Sequence, residues 1–386
     1  MSNVIIAGIG QTSVGEHWDI SLRELGFYAM EAAQQDAGGL RPQALFVGNL
    51  LAPTVSRQAH LGTLLADFAG LIGIEAYTVE AAGASGGAAL RAGYLAIKSG
   101  FVDVVMVAGV EKVTDKLSDE VEASIAATTD SDYEAIHGLT LAAQAALLMR
   151  RYLYEYDLPR DALAGFPLTA HANGVGNPKA MFRRAIKPAL YERAGMISDP
   201  VNMFDAAPDA DGAAAVILTR PELLPPDSPH PRVRIAGSSL TTDTLSLHDR
   251  HDPLDFRAAR LSVERACYQA GISVDQVDFF ELYDLFSIYA ALSLEAAGFA
   301  ERGLGWKLAS SGETALTGSV PIATLGGLKA RGNPWGAAGV YQVVESVIQL
   351  RGQAGENQIP GAKRALVQCL GGPASTAVTH VLEIVG

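Results

Sequence analysis

Four short segments of this 386-residue chain have the composition of ligand-binding turns: Val79–Gly87, Glu281–Ser287, Gly326–Gly336 and Val367–Gly372. Each ends an apolar β run and opens a Gly-rich turn. Open α/β sheets place ligands at such points, with helix N-termini aimed at anionic or polarised groups. Gly clusters such as Gly86-Gly87, Gly326-Gly327 and Gly371-Gly372 mean tight turns and close backbone approach. Ser85 is a poor nucleophile, because it falls in the first turn of a helix, where Ser caps. The run His248-Asp249-Arg250-His251-Asp252 has metal-binding residue types.

The elements around these turns read as α/β. Val4–Ala7 and Ala44–Val47 are short strands, and Leu22–Gln35 has helical spacing. Ser85–Lys98 is a small-residue helix closed by Gly100. Val102–Val107 is a β-branched run of the kind buried on both faces. The same order returns: the helix Arg257–Gln269, the strand Val277–Leu282, a Gly-started helix Gly332–Gln349 and the strand Arg364–Leu370. The offset is about 230 to 260 residues, which points to a duplicated α/β unit. The first half spans residues 1–231, with an inserted loop domain at about 115–208 that contains the helix Leu139–Tyr156. Pro221–Pro231 closes that half, and the second half, residues 232–386, starts with the strand Val233–Ala236.

Apolar residues make up 49% and charged residues 18%, a globular composition. The net charge of −13, without any Lys/Arg block, argues against nucleic acid. An anionic small molecule remains compatible, since local cations decide that. Two cysteines, Cys267 and Cys369, exclude a disulfide framework and point to a reducing, cytoplasmic compartment. Met1–Gln11 lacks the basic region of a signal peptide, and charges interrupt every apolar stretch, so no membrane span is expected.

Gly326–Ala337, read as GGLKARGNPWGA, resembles the thiolase stretch GGLKxxGHPxGA. Asp211-Gly212-Ala213-Ala214-Ala215 resembles the thiolase SDGAAA loop. Asn177-Pro178-Lys179-Ala180 with Phe182-Arg183, and Thr242–Leu245 with His248-Asp249-Arg250, are similar to the sterol-carrier-protein (lipid-transfer-protein) branch. The resemblance runs in order along nearly the whole chain. It implies the thiolase fold, a five-layer αβαβα arrangement of duplicated halves, and a homodimer. It implies an acyl-CoA ligand whose pantetheine arm enters between the halves, with the CoA thioester as substrate and no bound cofactor. Relatives in this branch often pair with a small OB-fold/zinc-ribbon protein.

Thiolases use a nucleophilic Cys, an activating His, a second Cys as acid/base, and an Asn or His at the oxyanion site. In many relatives the nucleophile's turn reads VEAACASGG. Here it is Val79–Gly87 with Gly83 at the Cys position, and glycine cannot form an acyl-enzyme. The His of GHP is Asn333, which takes no proton near neutral pH. The branch's HDxF motif reads Tyr283-Asp284-Leu285-Phe286. Only Cys369-Leu370-Gly371-Gly372 keeps the CxGG pattern. The steroid side-chain-cleaving aldolases of this branch also lack the nucleophile and use tyrosines at the positions of Tyr283 and Asn333; this chain has only the first.

Three functions stay open at this point. One is retro-aldol C–C cleavage of an acyl-CoA, with Tyr283 and Cys369 as acid and base and Asn333 as a carbonyl donor. Tyr283 can act as base only if neighbours lower its pKa. The others are a thiolase (acetyl-CoA C-acyltransferase) by descent and a non-catalytic acyl-CoA-binding subunit. Gly83 leaves room for the acyl group. Arg183, Arg184, Lys187, Lys329 and Arg331 are the candidate cations for CoA phosphates. His248 belongs to a loop on the CoA-facing side rather than to a metal site. His171 either lines the tunnel or is a loop residue.

Overall fold

The computed structural model describes residues 3–224 and 230–385. Eleven strands occur among them: β1 (Ile5–Gln11), β2 (Ala44–Gly48), β3 (Glu75–Val79), β4 (Val104–Glu111), β5 (Met196–Ser198), β6 (Val201–Asn202), β7 (Gly212–Thr219), β8 (Arg232–Thr242), β9 (Phe279–Glu281), β10 (Arg364–Gly371) and β11 (Thr376–Val385). The α-helices are α1 (Leu22–Asp36), α2 (Leu61–Phe68), α3 (Ser85–Ser99), α4 (Ser118–Ala126), α5 (Leu141–Glu155), α6 (Gly165–Gly174), α7 (Pro188–Glu192), α8 (Arg257–Ala270), α9 (Ser287–Ala297), α10 (Gly305–Ser310), α11 (Gly327–Arg331) and α12 (Ala338–Leu350).

Nine strands form one sheet in the order β3-β2-β4-β7-β1-β8-β11-β10-β9. Its two sides repeat one pattern. β1 pairs antiparallel with β7, β7 antiparallel with β4, and β4 parallel with β2. Likewise β8 pairs antiparallel with β11, β11 antiparallel with β10, and β10 parallel with β9. Among the described residues the two sides of the sheet pair only at Ile5–Arg234 and Ile6–Val233. This is the structural form of the duplication seen in the residue order.

The helices complete an αβαβα stack. α1 packs on β1, β4 and β7, and α8 on β8 and β11. α3 and α12 touch each other and strands of both sides. Burial follows from this placement. α1 is amphipathic, buries Leu22, Leu25, Ala29, Met30 and Ala33, and starts at a capping box between Ser21 and Glu24. α12 is buried nearly all round, as a helix packed against α3 and strands of both sides of the sheet must be.

Several sequence expectations change. Of Asp211–Ala215, expected as a loop, Gly212–Ala215 form the first half of β7, whose eight residues are all buried. Its alanines lack a β-branched signal, and tertiary packing decides the strand. The turn Val79–Gly87 follows a largely solvent-facing edge strand, β3, rather than a buried run. The helix expected from Gly332 begins at Ala338 after a 3₁₀ turn, Trp335–Ala337. Asn333 precedes a proline and is biased away from helical angles, and its side chain accepts the Trp335 N–H at 3.1 Å. The strand expected at Val277–Leu282 is confined to three residues. Of the proline-rich run Pro221–Pro231, residues 225–229 lie outside the described residues.

Candidate functional site

Three turns meet at the inner ends of the strands. Tyr283 follows β9, Cys369 lies near the end of β10, and Gly83 lies in the turn entering α3. All three are buried. A Cβ added to Gly83 would stand 2.3 Å from the Tyr283 hydroxyl oxygen and 2.7 Å from the Leu370 carbonyl. The space a side chain at 83 would claim is therefore held by the Tyr283 phenol. Ala82 just before it has φ +52°, so the turn is tight. Ser85 donates to the Ala82 carbonyl at 2.6 Å and accepts from the Ala81 N–H at 2.9 Å, a turn-closing role.

The Tyr283 hydroxyl has no hydrogen-bond partner among the described residues. Burial first, then Cys369 and Tyr289 nearby, holds it well above the usual phenol range. The Cys369 sulfur fills the notch left by two glycines, 2.2 Å from an added Cβ on Gly87 and 3.0 Å from one on Gly339. Its contacts to the Ala84 and Val378 carbonyls are long, 3.8 and 4.0 Å. Burial pushes this thiol up to about 12. The condition for Tyr283 as a base, a lowered pKa, is thus not met. Both groups stand protonated at neutral pH, as donors.

Asn333 is fully buried, and its Nδ2 has no partner among the described residues. Its backbone N–H donates to the Pro208 carbonyl at 2.9 Å, and its carbonyl accepts from Ala210 at 3.2 Å. The same segment reaches the Tyr283 turn: Ala207 donates to the Leu285 carbonyl at 2.8 Å, and Ala206 bridges Phe286.

On the other side of Ala206–Pro208 lies a cavity of about 510 Å³. Its lining is mainly apolar, including Ile186, Leu190, Ile197 and Phe204, with His171, Arg184 and Lys329 as the ionisable groups. His171 is buried on α6, ring-stacked with Phe182 and edge-on to Phe204, and its Nδ1 has no partner among the described residues. Burial, then the charge of Lys329, holds its imidazole below the ordinary range.

The five cations separate. Arg183, Arg184 and Lys187 share one loop at the surface, with Arg184 in the cavity wall. Lys329 and Arg331 are corrected as phosphate ligands, because both are buried with internal partners. Lys329 Nζ donates to the Asp205 carbonyl at 2.5 Å, and burial brings it down to about 8 against the pull of Asp284 and Asp205. Arg331 pairs with Glu345 at 2.6 Å and lies over the Tyr341 ring. His248 is exposed beside Asp249 and lines a different groove, with Tyr133 and Arg151.

Sequence reading missed two contributors. Asp284 accepts the Leu328 N–H at 2.7 Å, fixing the start of α11 against the Tyr283 turn. Glu111 ties β4 to the Asn333 turn through the Gly336 N–H at 3.0 Å. Asp284 stood inside the YDLF motif, whereas Glu111 carried no local signal.

The comparisons with known proteins assign this two-sided αβαβα fold to the thiolases. The family model described as "Thiolase, N-terminal domain" matches residues 4–222, and "Thiolase C-terminal domain-like" matches residues 239–384. The chain belongs to the thiolase superfamily. An acetyl-CoA acetyltransferase of Methanothermobacter thermautotrophicus is 38% identical over 99% of this chain and 100% of that protein. Sterol carrier protein 2 of Bos taurus is 29% identical over 80% of this chain and 59% of its own length. The solved structure of the "Ltp2-ChsH2(DUF35) aldolase" superposes with TM-score 0.85 at 21% identity, covering 99% of this chain and 98% of that one.

Proposed function

We propose that this thiolase-family protein binds an acyl-CoA and cleaves one of its C–C bonds by retro-aldol chemistry, without an acyl-enzyme. One observation carries the reading: the Tyr283 hydroxyl holds the space of a side chain at position 83. A covalent route has no thiol at that turn. Cys267 is buried on the outer helix α8, and Cys369 is a protonated thiol in the glycine notch.

In this reading CoA enters by the cavity beneath Arg184, with Arg183 and Lys187 flanking its phosphates. The thioester carbonyl accepts from the Asn333 amide. Loss of the β-hydroxyl proton turns the C–O bond into a carbonyl, and the Cα–Cβ bond breaks. Its electron pair passes to the thioester as an enolate, stabilised by fixed donors. Tyr283 or Cys369 gives its proton to Cα as the β-hydroxyl proton replaces it, so the proton lost at oxygen makes good the one delivered to carbon and neither group acts as a free base. The products are an aldehyde or ketone and a shortened acyl-CoA.

Within the same proposal the chain is a cytoplasmic homodimer whose halves divide between residues 231 and 232. The open edge of β3, with Tyr77 exposed, supports self-association. The aldolase of the superposed structure is named together with a second protein, ChsH2(DUF35), which supports an OB-fold/zinc-ribbon partner for this chain. The name of the 38% identical relative favours a second reading, acyl transfer between CoA thioesters.

The test is to incubate the protein with 3-hydroxyacyl-CoA thioesters and follow carbonyl product and shortened acyl-CoA by mass spectrometry. Both products should form in equal amounts, and Tyr283→Phe should lower the rate about a hundredfold or more. Full activity in that variant removes the role given to Tyr283.

A further inference from the structure

Glu111 is the last residue of β4, in the N-terminal side of the sheet, and it is completely buried. Its carboxylate collects four N–H donors. Oε1 accepts from Asn49 Nδ2 at 2.8 Å and from the Leu51 backbone at 3.0 Å. Oε2 accepts from the Leu50 backbone at 2.8 Å and from the Gly336 backbone at 3.0 Å. Three of these come from the turn after β2. The fourth belongs to the other side of the molecule, three residues beyond Asn333. The approach there is close: a Cβ on Gly336 would lie 2.6 Å from the Leu50 nitrogen.

Resting on the reading of Asn333 as the carbonyl donor, we propose that Glu111 is its positioning residue, a carboxylate clamp that fixes the Gly332–Gly336 turn and so aims the Asn333 amide. The turn needs an outside anchor. Trp335 has φ +35°, Pro334 offers no N–H, and the Trp335 N–H is already spent on the Asn333 side-chain oxygen. The Gly336 N–H is the next donor along the chain, and it goes to Glu111. The clamp therefore sets the orientation of a side chain it does not touch.

The carboxyl is also placed to titrate. Burial pushes it up to about 7, against the four donors, which pull it down. The groups that bond the carboxyl are Asn49 and the backbone N–H groups of Leu50, Leu51 and Gly336, and the charged side chains of the adjoining segment, Lys112 and Asp211, pair with each other at 3.3 Å. A protonated carboxyl brings its own hydrogen to a place where four donors already point. One of them must lose its acceptor: three are backbone groups, and the Asn49 amide is itself held by the Val110 carbonyl at 2.7 Å and the Ala52 N–H at 3.0 Å, so the turns that carry the donors must shift. The Asn333 geometry is thus held above about pH 7 and relaxes below it.

Two measurements on the intact protein test this. In the first, Asn333 side-chain amide signals are followed by ¹⁵N NMR from pH 6 to pH 8 without substrate, in wild type and in Glu111→Gln. The wild-type signals should shift with a midpoint near pH 7 and those of the variant should not. Wild-type signals that do not titrate, or variant signals that titrate identically, overturn the proposal. In the second, kcat and KM for 3-hydroxyacyl-CoA cleavage are recorded against pH. Wild-type kcat should rise through about pH 7, while Glu111→Gln stays flat and about tenfold or more lower, with KM within about twofold. An unaltered profile in the variant also overturns it. Absence of cleavage in wild type counts against the retro-aldol reading, and the amide titration, which needs no turnover, still decides the role of Glu111.

Discussion

The two turns that feed the central helices α3 and α12 hold corresponding places in the duplicated fold and carry opposite chemistry. The first carries only alanine and glycine from Ala81 to Ala84, ahead of α3, and offers no nucleophile there. The space at Gly83 is taken by Tyr283, a residue of the C-terminal side. The second, ahead of α12, carries the Asn333 amide and is anchored by Glu111, a residue of the N-terminal side. Each turn is completed from across the molecule. The site is therefore a property of the joined halves, and the absence of a nucleophile at one turn goes with the filling of its space from the other half.

Arg331→Met should disturb one turn alone and do so most strongly. It removes the cation just ahead of the Asn333 turn and leaves Glu345, buried on α12, without its partner. Breaking such a pair costs about 3–5 kcal/mol. Replacing both Arg331 and Glu345 by Met should recover most of that loss in denaturant titrations. Loss without recovery would mean that Arg331 serves the second turn by more than charge balance.

Gly83→Cys attacks the first turn. The new Cβ meets the Tyr283 oxygen at 2.3 Å, so overpacking should cost about 1–3 kcal/mol. Tyr283→Ala in the same molecule should give part of it back, with a coupling of about 0.5–3 kcal/mol in the double-mutant cycle. Additive costs would dissolve the pairing of these residues.

A smaller effect tests the N-terminal side by pH. Burial raises the Asp211 carboxyl, but donors from Thr114, Val113 and His17 outweigh it, and its pKa lies below the ordinary value. A lowered folded pKa means its stabilisation is fully present above the unfolded value near 3.8 and is lost as pH falls through the folded value. Asp211→Asn should flatten the acid limb of a stability-versus-pH curve by about 1–2 kcal/mol, with little change in the sign of the slope near pH 7.

Much of the fold was legible because long periodic elements announce themselves. α1, α8, β4 and β10 lie within a few residues of their expected positions. β7 was not, because its first half, Gly212–Ala215, is glycine and alanine and only Val216–Thr219 has strand character; β11 is missing from the expectations although Val378, Thr379 and Val381 give it the composition of a strand. The gap at Gly83 could be read from the residue type. What fills it could not, since Tyr283 lies about two hundred positions further along the chain and only packing joins them. Lys329 and Arg331 misled for a simple reason. Charged residues default to solvent, and only the buried partners Asp284, Asp205 and Glu345 reveal the exception.

The most direct measurement is intact-protein mass spectrometry after mixing the wild-type chain with acetyl-CoA and acetoacetyl-CoA at neutral pH and quenching in acid. The account predicts the unmodified mass at every time point. An added acetyl group on Cys369 or Cys267, appearing and clearing at the rate of CoA release, contradicts it.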